Sequence, residues 1–235
     1  MPKKKNKKNL VPIHPMEQKM SLKKMSDITW RIFRIMSEFV EGFQFLSQFS
    51  KEVTIFGSAR LPEDHKWCQE AEKLGELLAK SGFTVITGGG PGIMEAANKG
   101  AFAIDPKKSV GINIQLPMEQ RTNPYVTKSK GFYYFFTRKV MLAASAQSYI
   151  FFPGGFGTTD EFFELITLVQ TKKMQKLPVI LMGKEFWQPV LHWMEKTMIK
   201  DFKTISPQDR HLFVVCEKAE QAMQYIKKSK ERTIF

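Results

Sequence analysis

Three glycine-rich turns carry the residues best suited to chemistry, and each follows a short apolar run that is typical of a buried strand. The turns are Gly57-Ser58-Ala59-Arg60, Gly88-Gly89-Gly90-Pro91-Gly92 and Pro153-Gly154-Gly155-Phe156-Gly157-Thr158-Thr159. Glycine lacks a Cβ, so an anion can approach the backbone, and a helix that begins there offers unpaired N–H donors at the positive end of its dipole. Ser58, Thr158 and Thr159 add hydroxyl donors. The turns therefore predict a phosphate-binding site.

Acidic and basic side chains lie close to these turns in the sequence. Asp160 and Glu161 fall in the first turn of the helix that follows the third glycine turn. Asp160 has an ordinary explanation as a dipole and capping partner. Glu161, beside a bound phosphosugar, can stabilise an oxocarbenium-like transition state or orient water, which is the chemistry of glycosidic cleavage. Arg138 and Lys139, on the preceding helix, are candidates to balance its charge against the phosphate.

Several other chemistries are disfavoured because their residues are missing. A Walker loop ends in Gly-Lys-Ser/Thr, whereas Gly90 is followed by Pro91. The dinucleotide fingerprint needs a G-x-G-x-x-G turn after the first strand, and that turn is absent. The four histidines share no metal-ligand spacing, and no lysine with an acidic partner suggests pyridoxal phosphate. We therefore expect neither a metal nor a cofactor.

Apolar runs that alternate with helical periodicity predict the fold. The predicted strands are Val53 to Phe56, Phe83 to Thr87, Val110 to Ile114, Tyr149 to Phe152, Val179 to Met182 and Leu212 to Val215. The predicted helices are Trp30 to Phe49, Asp64 to Lys80, Gly92 to Phe102, Phe135 to Ala146, Thr158 to Thr171, Phe186 to Ile199 and Glu217 to Lys228. Strands that are apolar throughout favour a doubly wound, mostly parallel, Rossmann-like α/β sheet with helices on both faces.

The aromatic residues outside the glycine turns are interpreted as packing residues. The run from Phe132 to Phe136 is assigned to the core, and Trp187 and Trp193 to helix packing, although one ring near Arg138 could face a purine. The predicted helix from Trp30 to Phe49 has one wide apolar face. That face either covers the chain's own core or forms a subunit contact, and the sequence leaves both open.

The formal net charge of the 235 residues is +13, and residues 1 to 24 carry +7 of it. We expect residues 1–27 to form a flexible Lys-rich tail and residues 28–235 a single domain. Nucleic acid is disfavoured as a partner because no aromatic residue for base stacking precedes Trp30. No membrane span is expected, since charges interrupt the longest apolar window. The two cysteines and the lack of a hydrophobic signal region predict a cytoplasmic protein.

The motifs together resemble those of the Lonely-guy family of cytokinin-activating phosphoribohydrolases, long labelled possible lysine decarboxylases. The resemblance rests on Gly88 to Glu95, Arg138-Lys139 and Pro153 to Glu161, and it extends to Leu116-Pro117-Met118-Glu119-Gln120 and Asn123-Pro124-Tyr125. It implies hydrolysis of the N-glycosidic bond of a purine nucleoside 5′-monophosphate, AMP or an N6-modified AMP, to the free base and ribose 5-phosphate. It also implies a homodimer or larger homo-oligomer.

Carried over position by position, the resemblance assigns Arg138 and Glu161 as the catalytic pair. The substrate-binding positions that follow, together with those proposed above, are Ser58, Gly89, Gly90, Glu119, Lys139, Gly154, Gly155, Gly157, Thr158, Thr159, Asp160 and Thr167. Thr159-Asp160 and Glu95 differ from the plant members, which leaves the preferred base open. An alternative on the same scaffold is a non-catalytic protein that binds a nucleotide or another phosphorylated ligand.

Overall fold

A computed structural model describes residues 25–115 and 122–231. Its central feature is a sheet of seven strands, all parallel, in the order β4-β3-β2-β1-β5-β6-β7. The strands are β1 Glu52–Phe56, β2 Thr84–Thr87, β3 Ser109–Ile114, β4 Lys128–Phe132, β5 Ser148–Phe151, β6 Val179–Met182 and β7 Val214–Cys216. From β1 the chain adds β2, β3 and β4 on one side of that strand, and then adds β5, β6 and β7 on its other side. This reversal is the switch point at which doubly wound sheets bind ligands.

Helices cover both faces of the sheet, which confirms the predicted Rossmann-like α/β fold. The helices of the chain are α1 Met25–Leu46, α2 Lys66–Lys80, α3 Ile93–Ile104, α4 Phe135–Ala144, α5 Phe156–Gln170, α6 Lys184–Trp193 and α7 Ala219–Ile226. One apolar cluster lies between the sheet and helices α2, α3 and α7. A second lies between the opposite face and helices α4, α5 and α6. The strands are therefore buried on both sides, as their continuous apolar runs predict.

The chain divides into two compact units after Arg34, within α1. In the second unit, Phe39, Phe45 and Leu46 of α1 pack against the core of the same chain. Met36, Val40 and Phe43 stay exposed. The Lys-rich segment lies outside the described residues, so the boundary after residue 27 stays a prediction. The homo-oligomer also stays a prediction.

Residue Glu38 of α1 fixes the start of α4, the helix that carries Arg138. Its carboxylate accepts hydrogen bonds from the backbone N–H of Tyr133 at 2.7 Å and Tyr134 at 3.3 Å, and from the Thr137 hydroxyl. A carboxylate at a helix start satisfies N–H donors that lack intrahelical partners and also complements the helix dipole. This contact therefore holds the beginning of α4 in place.

The structure differs from the sequence-based prediction in three elements: β4 was not predicted, the last strand was predicted too early, and α6 was predicted too long. β4 has the polar sequence KSKGF and lies at the edge of the sheet, so it lacks the apolar run used to predict strands. The strand predicted at Leu212 to Val215 instead spans Val214–Cys216. Helix α6 contains Pro189 and ends at Trp193, and a π-helix, Met194–Asp201, follows it.

The prediction that the run from Phe132 to Phe136 belongs to the core is largely wrong. Phe132 is buried, whereas Tyr133, Phe135 and Phe136 are exposed. The run follows β4, and in the described part of the chain β4 is the edge strand of the sheet, with no strand beyond it. Trp187 is buried as predicted, but Trp193 is half-exposed. Within the described residues, none of the helices is both long and apolar enough to cross a membrane.

Candidate active site

A cavity of about 1380 Å³ opens at the carboxyl edge of the sheet. The turns after β1 and β5 line it, together with Gly88 at the end of β2. The start of α2 contributes Lys66 and Trp67, and the start of α6 contributes Glu185 and Phe186. The cavity therefore occupies the switch point of the sheet, where the sequence predicts the phosphate site.

Backbone hydrogen bonds through Ser58 join the three glycine turns. Its N–H donates to the carbonyl of Pro153 at 3.0 Å, and its carbonyl accepts from the N–H of Ile93 at 3.0 Å. Gly92 has φ +68°, and a Cβ there would lie 2.4 Å from the Ser58 carbonyl oxygen. Only glycine tolerates both the conformation and the close approach. The turns therefore form one connected cradle.

The third turn presents the N-terminus of α5 to the cavity. The N-cap of α5 is Gly155, and no side chain caps the helix, so backbone N–H groups of its first turn remain available to an anion. Thr158 lines the cavity although only 6% of its surface is exposed. A Cβ at Gly154 would lie 2.1 Å from the Thr158 hydroxyl oxygen, so glycine leaves room for that hydroxyl beside the turn.

Arg138 and Glu161 form an ion pair in the wall of the same cavity. Arg138 Nη1 lies 3.7 Å from Glu161 Oε1, and the two side chains are only 16% and 8% exposed. Arg138 Nε donates to the Ile112 carbonyl at 3.1 Å, which anchors the guanidinium to β3. Gly88 backs this group, because a Cβ there would lie 2.6 Å from Arg138 Nη2. The fold thus positions a buried carboxylate and a largely buried cation beside the cradle of glycine turns.

Burial shifts the pKa of both Glu161 and Arg138. Burial raises the pKa of Glu161, while the charges of Arg138 and Lys139 act in the opposite direction without cancelling it. Burial also lowers the pKa of Arg138, against the opposing effect of Glu161, although a guanidinium remains charged in proteins. A carboxylate with a raised pKa beside a fixed cation is suited to accept a proton or to face a developing positive charge.

Sequence comparison assigns the family. A family model described as "Possible lysine decarboxylase" matches residues 94–226, more than half of the chain. The chain belongs to this family. The match begins at Met94, which lines the cavity, and contains Arg138 and Glu161. Together with the relatives described next, it confirms the resemblance to the Lonely-guy family.

Two relatives of this family member carry the same name, cytokinin riboside 5′-monophosphate phosphoribohydrolase. The protein of Rhodococcoides fascians is 29% identical over 184 residues, which cover 75% of this chain and 89% of that protein. A protein of Arabidopsis thaliana is 27% identical over 177 residues, which cover 74% and 81%. These alignments span most of each relative.

Solved structures share the fold of this family member. The X-ray structure of the protein TM1055 matches with a TM-score of 0.56 and 24% identity, over 76% of this chain and 99% of that one. A molybdenum cofactor carrier protein from Chlamydomonas reinhardtii matches with a TM-score of 0.52 and 21% identity, over 75% and 96%. At these identities the comparison extends to the fold alone.

Most of the sequence-predicted site residues of this family member come together in the cavity. Those that line it are Ser58, Arg138, Gly154, Gly155, Gly157, Thr158, Thr159 and Glu161. Gly89, Gly90, Lys139, Asp160 and Thr167 are not among the lining residues. Glu119 lies outside the described residues.

The residues that do not line the cavity occupy supporting positions. Lys139 forms ion pairs with Asp160 at 2.6 Å and Glu164 at 3.1 Å, so it joins α4 to α5. Burial lowers the pKa of Lys139, but its bonds to Asp160 and Glu164 outweigh this effect and the pKa is raised overall. Thr167 is exposed, and its hydroxyl donates to the Phe163 carbonyl of the same helix.

A buried polar network holds Gly89 and Gly90 in place, and Asn98 of α3 is its centre. Asn98 Oδ1 accepts from Thr87 Oγ1 at 2.6 Å and from Asn123 Nδ2 at 3.1 Å, and Asn98 Nδ2 donates to Ser109 Oγ at 2.9 Å. Asn123 Nδ2 also donates to the Gly90 carbonyl, and the Gly89 N–H to Thr87 Oγ1. The network fixes the second glycine turn, which backs Arg138.

Sequence reasoning missed Gly88, Arg60 and Asn98 as site residues. Gly88 and Arg60 both fall within turns that the sequence singles out, but nothing in their spacing separates them from their neighbours. Asn98 gives a weak signal, as a polar residue on an otherwise small and apolar helix face. Among the described residues, no group of three or more His, Cys, Asp and Glu side chains could hold a metal ion.

Proposed function

We propose that the protein hydrolyses the N-glycosidic bond of a purine nucleoside 5′-monophosphate, AMP or an N6-modified AMP. The products are the free base and ribose 5-phosphate. The observation that carries this proposal is the Arg138–Glu161 pair in the wall of the cavity that the glycine turns form. The names of the relatives from Rhodococcoides fascians and Arabidopsis thaliana support the same reaction.

In the proposed complex, the phosphate lies at the N-terminus of α5. The N–H groups of the first turn and the Thr158 hydroxyl bind its oxygens. Glu161 lies five residues beyond Phe156, the first residue of α5, which corresponds to about 7.5 Å along a helix axis. A ribose bound between the two would present its anomeric carbon to the Glu161 carboxylate.

Glu161 and Arg138 then have distinct roles. Cleavage of the bond between C1′ and the purine nitrogen develops positive charge on the sugar, which the carboxylate of Glu161 stabilises. The same carboxylate accepts a proton from the attacking water, and the purine, which leaves with the bonding electron pair, takes up a proton to become the free base, so that Glu161 ends ionised. Arg138 favours the ionised form of Glu161 and holds the carboxylate in place. Because both groups are buried, their electrostatic interactions are stronger than they would be in water.

The family description also suggests a decarboxylase, and the cavity does not fit one. Decarboxylation with pyridoxal phosphate needs a lysine for the Schiff base and an acidic partner for the pyridine nitrogen. Among the described residues that line the cavity, the single lysine is Lys66, which is largely exposed and forms an ion pair with Glu185 at 3.2 Å. A lysine in this exposed ion pair is not placed for Schiff-base chemistry.

Chromatography of a reaction with AMP tests the proposal. The purified protein should release adenine and ribose 5-phosphate in equal amounts. Glu161→Gln should lower the rate by at least about 10²-fold, the lower end of the contribution of a general base, while AMP binding remains. Glu185→Gln is the matched control, because Glu185 is a second carboxylate that lines the same cavity but is largely exposed and pairs with Lys66.

The non-catalytic alternative predicts a different result in the same assays. Binding of AMP by the wild-type protein without release of adenine, and without an effect of Glu161→Gln, would establish the non-catalytic alternative. If adenine is released, a parallel assay with N6-isopentenyl-AMP determines which base the cavity prefers.

A further inference from the structure

We infer that Arg60 binds the 5′-phosphate of the substrate and makes the protein selective for a phosphate monoester over a nucleoside. The inference rests on the proposed function, because it takes the anion to be a nucleotide phosphate. Arg60 lies in the turn after β1 and lines the cavity.

The charges of the cavity single out this side chain. The described lining residues include three with permanent positive charge, Arg60, Lys66 and Arg138. Arg138 is paired with Glu161, and Lys66 with Glu185. Within the described part of the chain, the guanidinium of Arg60 has no carboxylate within ion-pair distance. Arg60 is therefore the cation whose charge is left for a ligand.

The backbone holds Arg60 beside the phosphate cradle. Its N–H donates to Ser58 Oγ at 3.0 Å. Ser58 is itself bonded to Pro153 of the third glycine turn and to Ile93 at the start of α3. Because Ser58 Oγ accepts that bond, its own O–H remains able to donate to an anion. Arg60 and the Ser58 hydroxyl thus lie in a turn that is bonded directly to the phosphate turn.

A second group in the cradle also lacks a partner. The Thr158 hydroxyl makes no hydrogen bond with any described residue, although Thr158 is more than nine-tenths buried and lines the cavity. The hydroxyl oxygen itself reaches the solvent of the cavity, so its O–H is able to donate to a bound anion. Arg60 and Thr158 lie in turns that Ser58 and Pro153 connect, which favours one anion bound between them.

The charge of the ligand explains why a full cation is needed. A phosphate monoester carries between about −1.5 and −2 near pH 7, whereas a helix N-terminus supplies only about +0.5. Arg138 does not supply the difference, since Glu161 already offsets its charge. A guanidinium can bind two phosphate oxygens at once, which a lysine ammonium does less specifically. Arg60 also reduces the repulsion between the phosphate and ionised Glu161.

Titration calorimetry tests the inference, with ribose 5-phosphate and adenosine as ligands and with AMP in the Glu161→Gln background, in which the nucleotide stays intact. Arg60→Gln should weaken AMP and ribose 5-phosphate binding by about 10- to 100-fold, the range for hydrogen bonds to charged groups, and leave adenosine binding unchanged. Arg60→Lys should recover part of the loss. In the AMP assay, Arg60→Gln should raise KM with little change in kcat. Lys66→Gln is the matched control, and thermal unfolding checks that every variant is folded.

The outcomes separate this inference from the proposed function. If AMP binds Arg60→Gln as tightly as wild type while adenine is still released, the inference is wrong and the function stands. If Arg60→Gln weakens AMP binding but wild type releases no adenine, the function is wrong and the inference stands. If AMP and ribose 5-phosphate fail to bind the wild-type protein, both are wrong.

Discussion

Replacing Gly88 with alanine should move Arg138 and slow the reaction without disturbing the fold. A Cβ at this position would lie 2.6 Å from Arg138 Nη2 and 2.8 Å from Met94 Sδ, whereas ordinary contacts begin at about 3.4 Å. The guanidinium must therefore move by about 0.8 Å. It cannot do so freely, because Nε is bonded to the Ile112 carbonyl. Gly88 does not have a positive φ, so alanine introduces no backbone strain.

A displacement of about 1 Å in a catalytic constellation can reduce the rate about 10²-fold, which corresponds to about 2.7 kcal/mol in activation free energy. We expect kcat/KM of Gly88→Ala for AMP to fall by 10- to 100-fold, as measured by adenine release. Gly131→Ala, on the polar edge strand β4, is the control, since a Cβ there makes only an ordinary contact, 3.4 Å from Gln115 Nε2. A folded Gly88→Ala variant with wild-type kcat/KM would refute the role of Arg138.

Three further predictions concern the ion pair and its support. Arg138→Gln removes the charge that lowers the pKa of Glu161. The acidic limb of kcat/KM, measured for AMP as a function of pH, should therefore move to higher pH. Burial raises the pKa of Glu161, so its ionised form destabilises the folded state, and Glu161→Gln should therefore raise Tm. The increase in Tm should grow with pH until the raised pKa is passed and then stay constant. An unchanged or lower Tm at neutral pH would contradict this. Asn98→Ala should lower the free energy of unfolding by about 1–3 kcal/mol and also reduce kcat/KM, because the second glycine turn loses its support. Gln147→Ala, a buried amide bonded to Ser229 away from the cavity, should lower stability with unchanged kcat/KM in the same denaturation and activity assays.

The sequence predicted the sheet well where strands are buried on both sides. The apolar runs of β1, β2, β3, β5 and β6 come from the centre of the sheet, where hydrophobic burial determines the residue types. The edge strand β4 was missed because its exposed side chains are free to be polar. The π-helix after α6 was missed because its hydrogen-bond register depends on tertiary packing that no local pattern records.

The general position of the candidate site was also predictable, but its details were not. Parallel strands bring the glycine turns to one edge, so the proximity of Ser58, Gly154 and Glu161 follows from the fold class. Sequence spacing could not show that Gly88, rather than Gly89 or Gly90, backs the guanidinium of Arg138. That distinction depends on how α4 packs against β3 and on a polar network assembled from distant parts of the chain.

A structure of Glu161→Gln with AMP bound tests the proposed hydrolysis most directly, because the substitution should leave the uncleaved nucleotide in place. The phosphate oxygens should lie within hydrogen-bond distance of the first N–H groups of α5 and the Thr158 hydroxyl. C1′ should face the side chain at position 161, in direct contact or across one water molecule. A nucleotide with its phosphate away from α5, or with C1′ turned away from residue 161, would contradict the proposed hydrolysis.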